Sequence, residues 1–128
     1  MIGEDEATCP FCNPLPGDVV LRNELAYARW DAYPTTEGHM LIIPFRHVRT
    51  YFDATAEEIA CILHLIDEGR KMLEQLFSPD GYNIGVNVGE AAGQRVAHLH
   101  VHLIPRSAGD VEKDPSRNWG KHQWPPGL

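Results

Sequence analysis

The chain has 128 residues, 43% hydrophobic and 23% charged, which fits one folded domain over residues 1–128 and is too short for two. Its net charge of −7 would repel a phosphate backbone, which excludes broad nucleic-acid binding as the expected function. No apolar stretch approaches the roughly 20 residues of a membrane-spanning helix, and the acidic start lacks the features of a signal peptide. We therefore expect a cytoplasmic protein with no membrane partner.

The first 17 residues are predicted to form a cysteine-containing loop. Cys9-Pro-Phe-Cys12 is followed by Asn13–Gly17, whose prolines and glycine exclude a regular helix or a central strand. A Cys-x-x-Cys pair of this kind indicates a metal site or a redox site. A redox pair needs a strand before it and a helix that starts at it, whereas only eight residues precede Cys9 and prolines follow Cys12. Metal binding is therefore favoured, with reduced and buried cysteines as the alternative.

Three short apolar segments follow. Val19–Arg22 and Leu25–Trp30, joined by Asn23-Glu24, are predicted to form a hairpin. Gly38–Pro44 is rich in branched residues and ends at a proline, as a buried strand does.

The middle of the chain changes to a helical period. Thr55 and Glu58 form a capping-box pattern, which predicts one amphipathic helix over residues 56–77. Its predicted buried face consists of Ile59, Ile62, Leu63, Ile66, Leu73, Leu76 and Phe77.

The last third of the chain is predicted to contain two strands and a tail. The strands cover Tyr82–Val88 and Val96–Ile104, the second closed by Pro105, with a glycine-flanked loop between them. Residues 105–128 lack periodicity and are predicted to be an extended tail. This order of elements indicates an α+β fold, with an antiparallel sheet of about five strands carrying one long helix on one face.

Three alternating histidines are the most informative feature. On a strand, His98, His100 and His102 would share one face, while the apolar residues between them would face the core. One such histidine is usually structural, but three in a row cost desolvation without a gain in packing. Two functions fit: ligands of a catalytic zinc, or a nucleophilic imidazole whose neighbours orient it and neutralise a phosphate.

The loop before the histidines favours the second function. Asn87–Gln94 has an amide side chain at each end, flexible glycines and main-chain donors between them, which suit phosphate oxygens. A zinc hydrolase would instead need nearby carboxylates or a further dedicated ligand.

With these motifs the chain resembles the histidine-triad (HIT) superfamily of nucleotide hydrolases and transferases. The resemblance covers nearly the whole sequence, and its further matching motifs are Cys9-x-x-Cys12, Asp31, Gly38-His39, Pro44-x-x-His47 and Trp124-Pro-Pro-Gly127. It implies a HIT-like fold that forms a homodimer with one continuous sheet.

The resemblance also implies roles for individual residues. His100 would be the nucleophile that attacks the α-phosphorus of a nucleotide, with His102 and Gln94 as further catalytic residues contacting the phosphate or the leaving group. The other nucleotide-binding residues would be Asp31 at the ribose, with Asn87, Gly93 and Arg95 at the phosphates. Arg95 stands where many relatives carry a small hydroxyl residue, and its charge would serve the phosphate.

The same resemblance gives the cysteine pair a role, because some members of the family carry a structural zinc. Cys9, Cys12, His47 and His98 would form a closed Cys2His2 site. The covalent scheme requires no catalytic cofactor.

The expected activity is hydrolysis of dinucleoside polyphosphates, such as diadenosine tetraphosphate, through a nucleotidyl-histidine intermediate. One alternative is a nucleoside phosphoramidate hydrolase of the same family, which the Trp124–Gly127 ending resembles. Two further alternatives are a zinc-dependent hydrolase that uses the histidines as ligands, and a nucleotide sensor without turnover.

Overall fold

The computed structural model describes residues 1–113. The elements are β1 (Leu21–Arg22), β2 (Ala26–Trp30), β3 (Met40–Pro44), α1 (Ala56–Phe77), β4 (Gly81–Gly85), β5 (Val101–Arg106) and α2 (Asp110–Lys113). The five strands form one sheet in the order β1-β2-β3-β5-β4, with every neighbouring pair antiparallel. The predicted α+β architecture, with a five-stranded antiparallel sheet and one long helix, is confirmed.

The sheet has a different covering on each face. Helix α1 packs across β1, β2, β3 and β5, where Ala28, Met40 and Ile42 are buried against it. The opposite face carries Tyr27, Leu41 and Ile43, which pack against the N-terminal segment. His102 is paired with Leu41, and since directly paired residues point to the same side of a sheet, His102 lies on this second face.

Helix α1 begins with the predicted capping box, in which the Thr55 hydroxyl accepts from the Glu58 amide and the Glu58 carboxylate accepts from the Thr55 amide. The buried stripe of the helix consists of Glu58, Ile62, Leu65, Gly69 and Leu73.

The prediction was wrong for Leu63, Leu76 and Phe77, which are exposed. At 3.6 residues per turn Leu63 falls off the buried stripe, whereas Leu76 is in line with the stripe but lies, like Phe77, in the last turn of the helix. Leu65 lies on the stripe but was absent from the predicted face. Gly69 marks the closest approach to the sheet, because a Cβ there would lie 2.8 Å from the Met40 sulfur.

The predicted strand over Val96–Ile104 was wrong at both ends. Residues 96–100 bond to other segments: the Ala97 amide donates to the Ile2 carbonyl and the Leu99 amide to the Val48 carbonyl, both at 2.7 Å. Strand β5 therefore begins at Val101, so that His98 and His100 precede it.

The strand also does not stop at Pro105. That residue pairs with Tyr82, and its carbonyl accepts from the Thr36 hydroxyl. Residues 105 and 106 thus belong to β5 and not to the predicted tail, whose tryptophans, Trp119 and Trp124, lie outside the described residues. In the described part of the chain, no helix is long and apolar enough to cross a membrane.

The first residues are held in place at two points, as an ordered loop requires. Ile2 forms a parallel bridge with Val96, and the Tyr27 hydroxyl donates to the Phe11 carbonyl at 2.7 Å. The Cys-x-x-Cys turn is thereby fixed against the face of the sheet that carries His102.

Candidate active site

His100 is oriented by a main-chain carbonyl. Its Nδ1 lies 2.8 Å from the carbonyl oxygen of His98, and since a carbonyl can only accept, Nδ1 carries the hydrogen. The other ring nitrogen, Nε2, is left with its lone pair. The ring is half-buried, and burial lowers its pKa below the ordinary value. A neutral His100 with a free electron pair on Nε2 has the electronic state of a nucleophile.

A second network sets the state of His102. The Thr35 amide donates to Nδ1 of His39 at 3.0 Å, so the hydrogen of His39 is on Nε2. That atom lies 2.9 Å from Nδ1 of His102 and 3.3 Å from the Asp31 carboxylate. His39 therefore donates toward His102, whose own hydrogen is then on Nε2.

The imidazole rings of His39 and His102 are uncharged in this network. Burial, followed by the proximity of His100 and His39, lowers the pKa of His102 to about 3. Burial also lowers the pKa of His39, although the Asp31 carboxylate opposes this effect. The site thus places two neutral imidazoles side by side: His100, whose Nε2 keeps its lone pair, and His102, whose Nδ1 accepts from His39.

Both rings line a cleft of about 590 Å³, within the roughly 300–1,000 Å³ typical of small-molecule sites. The cleft brings together most of the residues expected to bind nucleotide: Asp31, Asn87, Gly93, Arg95, His100 and His102. Its other walls include Phe11, Arg29, Trp30 and Tyr33, and it also contains His39. Sequence reasoning had not assigned these five residues to the site; the available signals were aromatic residues next to Asp31 and a fourth histidine at the start of β3.

The Gln94 side chain lies elsewhere than expected. It is only 2% exposed; its oxygen accepts from the Gly89 amide at 2.8 Å, and its nitrogen donates to the carbonyls of Arg49 (2.7 Å) and Val96 (3.0 Å). A buried amide must satisfy its polar atoms, and here the main chain does so. Gln94 consequently holds the glycine-flanked loop in shape rather than lining the cleft.

A separate cluster of sulfur and nitrogen atoms lies beside the cleft. The donor atoms of Cys9, Cys12, His47 and His98 all fall within 4.8 Å of one another. Nδ1 of His98 lies 3.3 Å and 3.4 Å from the two sulfurs, and Nδ1 of His47 lies 3.0 Å from the Cys12 sulfur. A tetrahedral zinc would hold sulfur and nitrogen ligands about 3.5 Å apart, so the cluster fits this ion.

The protonation states of the cluster agree with that fit. Nε2 of His98 donates to the Pro44 carbonyl at 2.8 Å, which leaves Nδ1 free to ligate. Burial lowers the pKa of His98 to about 4. Desolvation, followed by the proximity of Cys9, raises the pKa of Cys12 to about 12, so a pair of thiolates here requires a cation to compensate its charge.

A second group of possible ligands consists of Asp31, His39 and His102. His39 is a poor ligand, because the Thr35 amide occupies its Nδ1 and its Nε2 therefore holds the proton. In the described residues the three triad histidines do not converge on one ion: His98 belongs to the cysteine cluster, His102 to this second group, and His100 to neither.

A family model described as the HIT domain matches residues 13–109. The chain belongs to the HIT family. The match covers both histidine networks and every cleft residue named above except Phe11, and it begins after the two cysteines.

Two relatives are named for an activity on dinucleoside tetraphosphates. An AP-4-A phosphorylase of Mycobacterium tuberculosis is 38% identical over 96 residues, which are 74% of this chain and 49% of the relative. A bis(5'-nucleosyl)-tetraphosphatase of Schizosaccharomyces pombe is 35% identical over 101 residues, 79% of this chain and 56% of the relative. This chain thus spans about half the length of each of these two enzymes.

Solved HIT structures are similar as well. A zinc-bound histidine triad family protein from Mycobacterium smegmatis is 29% identical with a TM-score of 0.74, covering 93% of this chain and 91% of its own. A HIT family protein from Bacillus anthracis is 35% identical with a TM-score of 0.69, covering 78% and 74%. The fold is therefore that of the HIT family, and a zinc-bound relative makes a structural zinc plausible here.

Proposed function

We propose that this HIT protein hydrolyses dinucleoside polyphosphates, such as diadenosine tetraphosphate, through a nucleotide covalently bound to His100. One observation carries the proposal: Nδ1 of His100 is committed to the His98 carbonyl, so that Nε2 keeps its lone pair while the ring lines the cleft. A nucleophile of this kind divides one difficult displacement into two easier ones.

In the first step Nε2 of His100 forms a bond to the α-phosphorus, and the bond from that phosphorus to the bridging oxygen breaks, its electron pair leaving with the polyphosphate. In the second step water attacks the phosphorus, loses a proton to solvent and releases the nucleoside monophosphate as the P–N bond returns its electrons to Nε2. The N–H of His102 would stabilise charge on the phosphoryl oxygens.

The remaining cleft residues would hold the substrate. Asn87, the Gly93 amide and Arg95 would contact phosphate oxygens, and Asp31 would accept from ribose hydroxyls. Both Asp31 oxygens already have protein partners, Tyr33 N–H and His39, but a carboxylate has capacity for further donors. Gln94 would act through the shape of the loop.

Two features favour a polyphosphate substrate. Arg29 and Arg95 both line the cleft, where their charge suits an anionic leaving group, and two relatives are named for diadenosine or dinucleoside tetraphosphates. A phosphoramidate is the second candidate, which the resemblance of the Trp124–Gly127 ending favours. In a side-by-side assay we expect higher kcat/KM for diadenosine tetraphosphate than for adenosine phosphoramidate, with inorganic phosphate added to reveal a phosphorylase.

The decisive experiment is His100→Ala. We expect loss of turnover, by a factor on the order of 10⁴ or more because the nucleophile itself is removed, with binding of adenosine monophosphate retained. Phe52→Ala, at a position that is 79% exposed and lines neither the cleft nor the depression beside β4, is the control and should behave as wild type. Normal turnover by His100→Ala would show that the mechanism is wrong.

We propose in addition that Cys9, Cys12, His47 and His98 hold a structural zinc, supported by their donor set and by the zinc-bound relative. When bound, the ion would fix the N-terminal turn to the sheet and supply no chemistry to the reaction. A zinc-dependent hydrolase using the triad as ligands is disfavoured, because His100 belongs to neither ligand group in the described residues.

We also propose a homodimer with one continuous sheet. Strand β4 is an edge strand of the described sheet; its Ile84 is 53% exposed, and Leu63 of α1 is 60% exposed. They border an apolar depression between β4 and α1, a surface that a second copy would cover.

A further inference from the structure

We propose that Phe11 couples the cysteine cluster to the cleft, such that zinc binding to the cluster raises the affinity of the cleft for a nucleoside monophosphate. Phe11 is thus a positioning residue that acts on His100 and on the wall of the cleft. The inference rests on the proposed function, since it takes the cleft to be a nucleotide site.

The position of Phe11 is the first argument. It lies between Cys9 and Cys12 in sequence, is 8% exposed, and lines the cleft. Its ring meets the His98 ring edge-on with centroids 6.0 Å apart, and the His100 ring with centroids 5.2 Å apart. One aromatic ring therefore touches a ligand of the cluster, the proposed nucleophile and the space available to substrate.

The second argument is that, apart from the packing of Cys9 and Phe11 against the sheet, only a few weak contacts hold this turn. The Phe11 carbonyl accepts from Tyr27, and the Arg29 guanidinium lies 5.6 Å from the Phe11 ring centroid and donates to the Pro10 carbonyl at 3.4 Å. The turn belongs to no strand or α-helix. Metal–sulfur bonds on both sides of Phe11 would thus be the strongest restraints on its ring.

The third argument is the chemistry of the donors. Two sulfurs and two imidazole nitrogens in a buried, closed group select Zn²⁺ over Mg²⁺ or Ca²⁺, which prefer oxygen ligands. Zinc would join the Cys9–Cys12 turn to His98 and His47, and so press the Phe11 ring against His100. Without the ion this turn would be held by its packing and hydrogen bonds alone, and we expect greater motion of the Phe11 ring to weaken one apolar wall of the cleft.

Coupling between two ligands is reciprocal in free energy. If zinc raises the affinity for adenosine monophosphate by a given factor, adenosine monophosphate must raise the affinity for zinc by the same factor. We expect a factor of about ten, within the usual range for coupled sites.

The test is a thermodynamic cycle on the full chain. Adenosine monophosphate binding is measured by calorimetry on zinc-loaded and zinc-stripped protein, and zinc affinity by competition with a chromophoric chelator, with and without the nucleotide. The variant is Phe11→Ala, and the control is Phe52→Ala at a position that is 79% exposed. We expect the factor of about ten in wild type and Phe52→Ala, no coupling in Phe11→Ala with zinc still bound, and partial recovery in Phe11→Leu.

A spectroscopic experiment keeps the test decisive if the zinc-stripped chain unfolds. Cobalt replaces zinc, and its thiolate charge-transfer and d–d bands are recorded on addition of adenosine monophosphate. A nucleotide-induced change in wild type that is absent in Phe11→Ala supports the proposal.

Two outcomes would overturn the inference. Full coupling in Phe11→Ala would show that residues other than Phe11 transmit the effect of zinc, and no coupling in wild type would show that zinc has no effect on the cleft. Neither outcome affects the proposed hydrolase. If zinc-loaded wild type binds no adenosine monophosphate, the proposed function fails first.

Discussion

At the scale of single residues, hydrogen positions in the site follow from main-chain groups that have only one possible role. The Thr35 amide must donate, which places the hydrogen of His39 on Nε2; the His98 carbonyl must accept, which places the hydrogen of His100 on Nδ1. The first peptide group thereby makes the His39 ring a hydrogen-bond donor, and the second leaves the His100 ring with a lone pair on Nε2.

His39 should therefore matter for the rate more than for binding. In His39→Ala the His102 ring loses the donor at 2.9 Å that fixes its tautomer, and we expect kcat to fall by roughly 10- to 100-fold through loss of orientation. The affinity for adenosine monophosphate should change little. Steady-state kinetics on His39→Ala, with Phe52→Ala as the control, measures this, and an unchanged kcat would refute the role of His39.

The sequence alone predicted the identity of many cleft residues. It predicted the direction of their side chains less well. Alternation placed His100 and His102 together because the apolar residues between them require the core. The direction of Gln94 could not be predicted, since its partner at the Arg49 carbonyl is 45 positions away. His39 was missed for the same reason: its contact with His102 spans 63 positions.

At the scale of elements, the boundaries of strands were harder to predict than their existence. The residue pattern of 96–104 fits a strand throughout, but the carbonyls of Ile2 and Val48 take the amides of Ala97 and Leu99. Competition between two acceptor segments decides where β5 starts, and one sequence does not contain that information. Helix α1 was predicted at its correct bounds because its capping box is local.

The start of α1 yields a prediction on stability and pH. The Glu58 carboxylate accepts from both Arg46 and the Thr55 amide, and chiefly because of the Arg46 hydrogen bond its pKa lies below the ordinary value of 4.5. A lowered pKa means that the charged form stabilises the fold above about pH 4.5 and that this contribution is lost as pH falls through the lowered pKa.

Glu58→Gln should therefore lower the free energy of unfolding by about 1 kcal/mol at pH 7, since charged hydrogen bonds become neutral ones. The difference from wild type should shrink in acid. Denaturant titrations at neutral and acidic pH test this, with Glu57→Gln, in the same first turn, as the control. A difference that is constant with pH would contradict the ionic contribution.

At the scale of the whole molecule, the cleft and the proposed dimer surface occupy separate regions. Ile84 and Leu63 lie at β4 and α1, whereas the nucleotide cleft is built from the N-terminal turn, β2, β3 and the segment around His100. Subunit pairing can therefore be disturbed without touching the residues proposed for chemistry.

Ile84→Lys should convert the proposed dimer to a monomer, because it places a charge on the apolar edge that the second copy would bury. Light scattering coupled to size-exclusion chromatography reports the mass. Leu15→Lys, at another exposed apolar position (69%), controls for the added charge and should leave the mass unchanged. A monomeric mass for the wild-type chain would show that the proposed homodimer is wrong.

Position 98 contributes to two tasks through two different parts of one residue: its imidazole belongs to the cysteine cluster, and its carbonyl orients His100. Every amino acid has that carbonyl, but few have a ligating side chain. A lineage descended from such a protein can thus abandon its ion by substituting residue 98 and still inherit the hydrogen bond that aims the attacking nitrogen. Loss of metal and loss of catalysis are, at this position, separable evolutionary events.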